Sequence, residues 1–274
     1  MTTHPVPPVQ FFGLLRWLDG RPLLDVVERY RRRLFTEALY TFDPDGRPRY
    51  SMVLAGRAKK NWKSADLALA SLYRFLAWPS PAGNDVYLVA NDEGQADDDL
   101  TLVKKLIAAN PLLSREVKVC RKWIERTDGL GKLEILPAKD VLGAHGKTFL
   151  MVGFDEIHGY RTWDLLEALS PDPTRTDALT WITSYATLYN SAQVPLNALC
   201  KAGREGSDPR MFFSWYAADF TTDPELVDAA TGEERANPSS RRHVSFGIEL
   251  LGFQFNYFCL RPGIRPSIRR TRVA

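Results

Sequence analysis

The sequence has little of what staples small extracellular folds: it holds 3 cysteines in 274 residues. Cys120, Cys200 and Cys259 lie far apart, their odd number cannot pair completely within one chain, and no CxxC or Cys/His cluster occurs. A disulfide framework and a structural zinc site are therefore not expected, and a cytoplasmic setting is. No apolar run approaches the roughly 18 residues of a membrane helix, so no membrane association is expected. Met1 to Gln10 carries no Lys or Arg ahead of an apolar stretch, so it does not read as a secretory signal. Internal repeats and low-complexity tracts are missing too.

What remains is a chain with 45% hydrophobic and 25% charged residues, enough apolar material for a sizeable core. Its net charge of +3 is unevenly placed. From Arg241 to the end there are seven Arg, no Lys, one Glu and no Asp, which leaves 29 basic and 32 acidic residues in 1–240. The body is thus slightly acidic, and overall charge does not point to a nucleic-acid surface.

Strand-like and helix-like segments alternate. Residues 1–49 read as an irregular and helical prelude, with an apolar Phe11 to Leu18, a helical pattern over Val26 to Tyr40 containing Arg31-Arg32-Arg33, and a turn at Asp43-Pro44-Asp45-Gly46. Tyr50 to Ala55 predicts a buried strand. The helix after it carries Leu69, Leu72, Tyr73 and Leu76 on one core-facing side. Val86 to Ala90 predicts a second strand, and a helix runs from about Gln95 to Asn110. Val117 to Trp123 and Lys132 to Leu136 predict a hairpin turning near Asp128-Gly129. Thr148 to Phe154, Leu179 to Thr183 and Met211 to Ala217 predict further strands. This alternation implies a single α/β domain with a mainly parallel sheet and helices on both faces.

Three segments carry chemistry. The loop after the first strand reads Gly56-Arg57-Ala58-Lys59-Lys60-Asn61-Trp62-Lys63-Ser64. A phosphate loop needs backbone N–H groups curled around an anion at a helix N-terminus, a Lys for the β/γ-phosphates and a neighbouring hydroxyl for Mg²⁺. Lys63-Ser64 meets the last two needs, although Trp62 stands where Gly usually precedes the Lys and Gly56 falls one position early. Alone, the loop equally describes a solvated basic turn that caps a helix through Ser64. The second segment, Thr148 to Glu156, delivers Asp155-Glu156 to the C-terminal edge of an apolar strand, where open α/β sheets bind ligands. The first acid suits Mg²⁺ and the second suits activation of water; strand-end acids also commonly cap helices. The third segment runs from Leu179 into Thr183-Ser184-Tyr185-Ala186, placing hydroxyls at another strand end.

Taken in order, these segments resemble the large subunit of tailed-phage terminases across roughly Phe11 to Pro238. Ala58 to Ser64 is similar to that family's variant phosphate loop, usually Pro-Arg-Lys-Asn-Gly-Lys-Ser/Thr. Val86 to Ala90 with Gln95-Ala96 resembles its next strand and helix start. His145-Gly146 and Phe154-Asp155-Glu156-Ile157-His158 resemble its Walker B region, and Thr183-Ser184 its coupling motif. Tyr216-Ala217-Ala218-Asp219 and Ala236-Asn237-Pro238-Ser239 resemble the end of its ATPase portion. The resemblance implies a P-loop NTPase fold of the RecA/ASCE kind, with 1–49 as an adenine-side segment, 50–238 as the ATPase core and 239–274 as a divergent tail.

It further implies an ATPase that uses Mg²⁺ and drives double-stranded DNA into a capsid, in a ring with a portal protein and a small terminase subunit as partners. Lys59, Lys60, Asn61, Trp62, Lys63 and Ser64 would hold ATP, with Lys63 on the β/γ-phosphates and Lys59 as a charge stabiliser. Ser64 and Asp155 would hold Mg²⁺, Glu156 would activate water, and Thr183 and Ser184 would couple hydrolysis to movement. An Arg from a neighbouring subunit would complete the site, with Arg121, Arg126 and Arg161 as candidates.

The chain departs from that pattern in three places. No Gln, the family's adenine reader, occurs between Pro22 and Tyr50; Trp62 replaces Gly; and the segment from Arg241 onward has Glu249 as its only acid. A nuclease built on several carboxylates is not expected there. The break after Ser239 suggests a truncated or out-of-frame end, with a basic DNA-binding arm as the alternative. Two other functions stay open: a non-catalytic terminase remnant or assembly partner, and a helicase-like DNA translocase, which would need a second domain of the same kind.

Overall fold

Short apolar runs flanked by turns become the strands of one eight-stranded sheet. A computed structural model describes residues 4–90, 93–136, 141–187, 189, 191–217, 220 and 222. Asp219, the run Ala236-Asn237-Pro238-Ser239 and the tail 239–274 lie outside the described residues. The chain opens with helices α1 (Pro8–Gly13), α2 (Leu23–Val26) and α3 (Arg29–Tyr40), then strand β1 (Met52–Gly56) and α4 (Lys63–Leu72), which a π-helical turn, Tyr73–Ala77, extends. Next come β2 (Val86–Ala90), α5 (Glu93–Ala108), α6 (Pro111–Glu116), β3 (Val117–Val119), β4 (Trp123–Arg126), β5 (Lys132–Leu136) and α7 (Val141–Ala144). β6 (Met151–Asp155), a 3-10 turn (Ile157–Gly159), α8 (Asp164–Ala168), β7 (Leu179–Ser184), α9 (Pro195–Glu205) and β8 (Met211–Trp215) complete the described elements.

The strand order is β3-β4-β5-β2-β6-β7-β1-β8. From β5 to β8 every pair is parallel; β3, β4 and β5 form an antiparallel meander at one edge. The expected hairpin is therefore one strand richer. Cys120 N–H donates to Trp123 O (2.9 Å), which turns the chain early and starts β4 at Trp123. The single helix expected over Val26 to Tyr40 is broken at Val27 and Glu28, both extended. Among the described residues no helix is long and apolar enough to cross a membrane.

The pleat sorts each central strand between two cores. Val53, Ala55, Val86, Leu88, Met151 and Trp181 face a layer built from α1, α3, α4, α5 and α6. Leu54, Tyr87, Val89, Val152, Phe154 and Ile182 face α7, α8 and α9. Covered on both faces, β2, β6 and β7 are buried at every position, which explains their unbroken apolar runs. α4 is buried around almost its whole circumference rather than on one side, because it lies between the sheet and α3 and α5. Gly153 lets it sit close: a Cβ there would meet Leu67 Cδ1 at 2.4 Å.

A charged cluster sits inside the first layer. Asp66, in the first turn of α4, accepts from Arg31 Nε (2.7 Å) and is paired to Arg57 Nη1; all three side chains are essentially fully buried. Burial opposes both guanidinium charges, yet Asp66 together with Glu28 and Tyr30 at Arg31, and with Tyr30 and Tyr216 at Arg57, outweighs it, and both groups end above their ordinary pKa. Arg57 Nη1 also donates to Asn61 O (3.2 Å) and its guanidinium lies 5.1 Å from the Tyr30 ring centroid. The cluster thus clamps the loop between β1 and α4 to α3. Removing one partner of such a group strands buried charge. Asp66→Ala should lower unfolding free energy by about 3–5 kcal/mol in denaturant titration. Asp19→Ala, which removes an exposed pair with Arg21, should leave the denaturant midpoint nearly unchanged.

Candidate active site

The C-terminal ends of β1, β6 and β7 bring the chemical segments together. β7 lies between β6 and β1, and the register sets Asp155 beside Thr183 and Thr183 beside Ala55. Each ladder continues one step past the strands: Glu156 N–H donates to Thr183 O (2.8 Å) and Arg57 N–H donates to Ser184 O (3.1 Å). Asp155 shares the pleat parity of Gly153, so its carboxylate points to the α4 face. There Ser64 Oγ donates to Asp155 Oδ2 (2.8 Å), and Thr183 Oγ1 donates to Asp155 Oδ1 (2.6 Å). Two segments 91 residues apart in sequence therefore meet at one carboxylate.

Three non-glycine residues among those described have positive φ: Lys60 (67°), Trp62 (63°) and Glu156 (58°). All three belong to this site, where left-handed backbone on a side-chain-bearing residue costs about 1–3 kcal/mol and signals local over-determination. Trp62 adopts φ 63° and ψ 17° as the residue ahead of α4, the geometry for which Gly is ordinarily used. Its indole finds room against Trp17 (centroids 5.4 Å, edge-on) and beneath the Arg31 guanidinium (5.0 Å). Gly56 serves another purpose than a phosphate cradle: a Cβ there would meet Trp215 Cε3 at 2.0 Å, so it admits the neighbouring strand's indole.

Lys63 is buried, and its Nζ donates to Ala58 O (3.1 Å). Burial drives its pKa down to about 8, with Glu156 and Asp155 pulling the other way and Arg57 and Lys59 adding to the fall. Asp155 is raised by burial, partly offset by its two hydroxyl donors. Asn61 spends its amide inside the loop, donating to Ala58 O (3.3 Å) and Lys59 O (3.0 Å). Lys59 and Lys60 are exposed, and Lys59 Nζ lies 5.1 Å from the Tyr185 ring centroid. Ser184 stands apart from its neighbour Thr183: by alternation it leaves the α4 face, and its Oγ donates to Tyr185 O (3.2 Å). Of the three arginines considered as donors to a neighbouring site, Arg126 binds Asp128 and Phe75 O, Arg161 donates to the Tyr189 hydroxyl (3.1 Å), and Arg121 is exposed in the turn between β3 and β4.

Several residues here had no signal in the sequence as read. Arg31, Arg57 and Asp66 look like solvated charges until folding pairs them. Asp99, on α5, is buried; burial first, then Asp155, Asp98 and Glu156, push it up to about 9, so it is neutral at pH 7. Tyr185 and His158 form a stacked pair (centroids 4.1 Å) with 2.9 Å between the phenol oxygen and Nε2.

The arrangement offers the groups that polyphosphate binding calls for. Left-handed turns at Lys60 and Trp62 curl the loop, α4 presents its N-terminus, and a buried ammonium lies beside it. The paired Ser64 hydroxyl and Asp155 carboxylate are hard oxygen donors in contact, a fit for Mg²⁺. Only protonated Lys63 attracts phosphate, and its pKa in the free protein is about 8. Affinity for a phosphate ligand held through Lys63 should therefore hold steady below pH 8 and weaken above it, by up to about tenfold per pH unit as binding must recover the proton. Titration calorimetry from pH 7 to 10 checks this, and Lys63→Met should flatten the profile.

No family model and no curated protein matches the chain. Solved structures do. The HK97 bacteriophage large terminase superposes with a TM-score of 0.69 at 19% identity over 85% of this chain and 47% of its own. A mutant of the ATPase domain of the Thermus phage P74-26 large terminase gives 0.50 at 15% identity, over 69% and 72%. The chain spans about half the length of the HK97 protein. The chain thus shares the α/β fold of these terminase structures, a mainly parallel sheet with helices on both faces.

Proposed function

We propose that this chain is a Mg²⁺-dependent ATPase of the terminase type, coupling ATP hydrolysis to movement of double-stranded DNA. The observation that carries the reading is the meeting of Ser64, Asp155 and Thr183 beside buried Lys63. In this reading the loop from Lys59 to Ser64 wraps the phosphates, and Lys63 neutralises the β/γ-oxygens. Ser64 and Asp155 would hold Mg²⁺, which when bound supplies further neutralisation of the phosphate charge. Glu156 follows Asp155 directly and takes the proton of the attacking water; its left-handed backbone, tied to Thr183 O, aims the carboxylate independently of its neighbour. Thr183 links that acid strand to β7, so a shift at Asp155 reaches β7. Ser184, buried and bonded to Tyr185, transmits rather than touches phosphate. Lys59 stabilises charge from the loop's exposed side. The segment 1–49 supplies the nucleotide's base side, and assembly as a ring with a portal protein and small subunit belongs to the same reading.

A non-catalytic relative is the second reading, and Trp62 favours it, since an indole stands where backbone usually approaches phosphate most closely. Phosphate release with and without Mg²⁺ and duplex DNA separates the two. The ATPase reading expects Mg²⁺-dependent, DNA-stimulated release that Lys63→Ala abolishes. Glu156→Gln should keep nucleotide binding and lower kcat by about 100-fold or more. Trp62→Gly should leave hydrolysis undiminished, because its indole packs on Trp17 and Arg31. Absence of nucleotide binding by the unmodified protein would establish the second reading.

A further inference from the structure

We propose that Tyr185, oriented by His158, is a positioning residue that holds the phosphate-loop lysines ready for a triphosphate; this rests on the nucleotide-binding reading above. The ring follows β7 directly and lies within cation–π range of two ammonium groups, Lys59 Nζ at 5.1 Å and Lys63 Nζ at 5.2 Å from its centroid. Two like charges gathered at one place repel. The negative face of an aromatic ring offsets that repulsion without adding a carboxylate that would compete with phosphate.

Lys63 is already fixed by burial and by Ala58 O, so the ring matters most for Lys59. An exposed lysine carries rotamer entropy that phosphate binding must remove. Confining it beforehand is preorganisation. The ring is itself held: His158 stacks on it and shares a hydrogen bond with its hydroxyl, and Thr187 Oγ1 donates to His158 O (2.9 Å). Since His158 follows the acid pair by two residues and Tyr185 follows Thr183-Ser184 by one, the clamp joins the ends of β6 and β7.

Steady-state hydrolysis and ATP binding by Tyr185→Leu, Tyr185→Phe and the Lys59→Met background test this. Tyr185→Leu should raise KM and Kd for ATP by about 3- to 10-fold, the range of one to two cation–π contacts, with kcat within twofold. Tyr185→Phe, which keeps the ring, should recover most of that loss. In Lys59→Met, adding Tyr185→Leu should change Kd less than twofold, since the residue acts through that lysine. Additive effects of the two substitutions, or Tyr185→Leu binding ATP like the unmodified protein, would overturn the assignment while leaving the ATPase reading intact. Failure of the unmodified protein to bind ATP would overturn both.

Discussion

One carboxylate organises this molecule. Asp155 stands at the end of β6, accepts from Ser64 at the start of α4 and from Thr183 on β7, and is buried. Because a buried charge needs partners, the three elements cannot separate without exposing or orphaning it. Everything chemical in the site is measured from that point: Lys63 precedes Ser64, Glu156 follows Asp155, and Tyr185 follows the Thr183-Ser184 pair. The close seat of α4 on Gly153 makes the contact possible, so a packing requirement and a chemical one are met by the same strand.

Behind the loop, the Arg31–Asp66–Arg57 cluster does for its base what Asp155 does for its mouth. Buried ion pairs are weak sources of net stability, but removing one partner is costly, and here the paired groups tie a strained segment to α3. Here the strained segment carries Lys60 and Trp62 in left-handed conformations. Trp62 is then no obstacle: its indole lodges against Trp17 and the guanidinium of Arg31, and what the loop requires of this position is the left-handed backbone that Gly would also adopt. The N-terminal helices are thereby part of the site's support, and Phe12 and Phe35 anchor them in the layer that holds α4.

How much of this could be read from the sequence follows from the range of each interaction. The strand, loop and helix around Lys63-Ser64 and the acid pair at 155–156 are local patterns, and their shared chain order pointed to the fold. The hairpin turn at Asp128-Gly129 is a local pattern too, whereas the additional turn at Cys120 is not legible, because a tight turn there looks like continued strand. Thr183 and Ser184 read as equivalent hydroxyls; only the pleat parity of β7 gives one to Asp155 and the other to Tyr185. Arg31, Arg57 and Asp66 pair across 9 and 35 residues, and no local pattern distinguishes such charges from solvated ones. Asp99 and the Tyr185–His158 pair were hidden for the same reason.

In the proposed site, the Ser64–Asp155 pair holds a divalent cation for a bound nucleotide. Calorimetric titration with a non-hydrolysable ATP analogue, with Mg²⁺ and with excess chelator, addresses it directly. Tighter binding with Mg²⁺, by about tenfold (1.4 kcal/mol) or more, and loss of that gain in Ser64→Ala is the predicted result. Equal affinity in both conditions, or a Mg²⁺ effect that survives in Ser64→Ala, would contradict it.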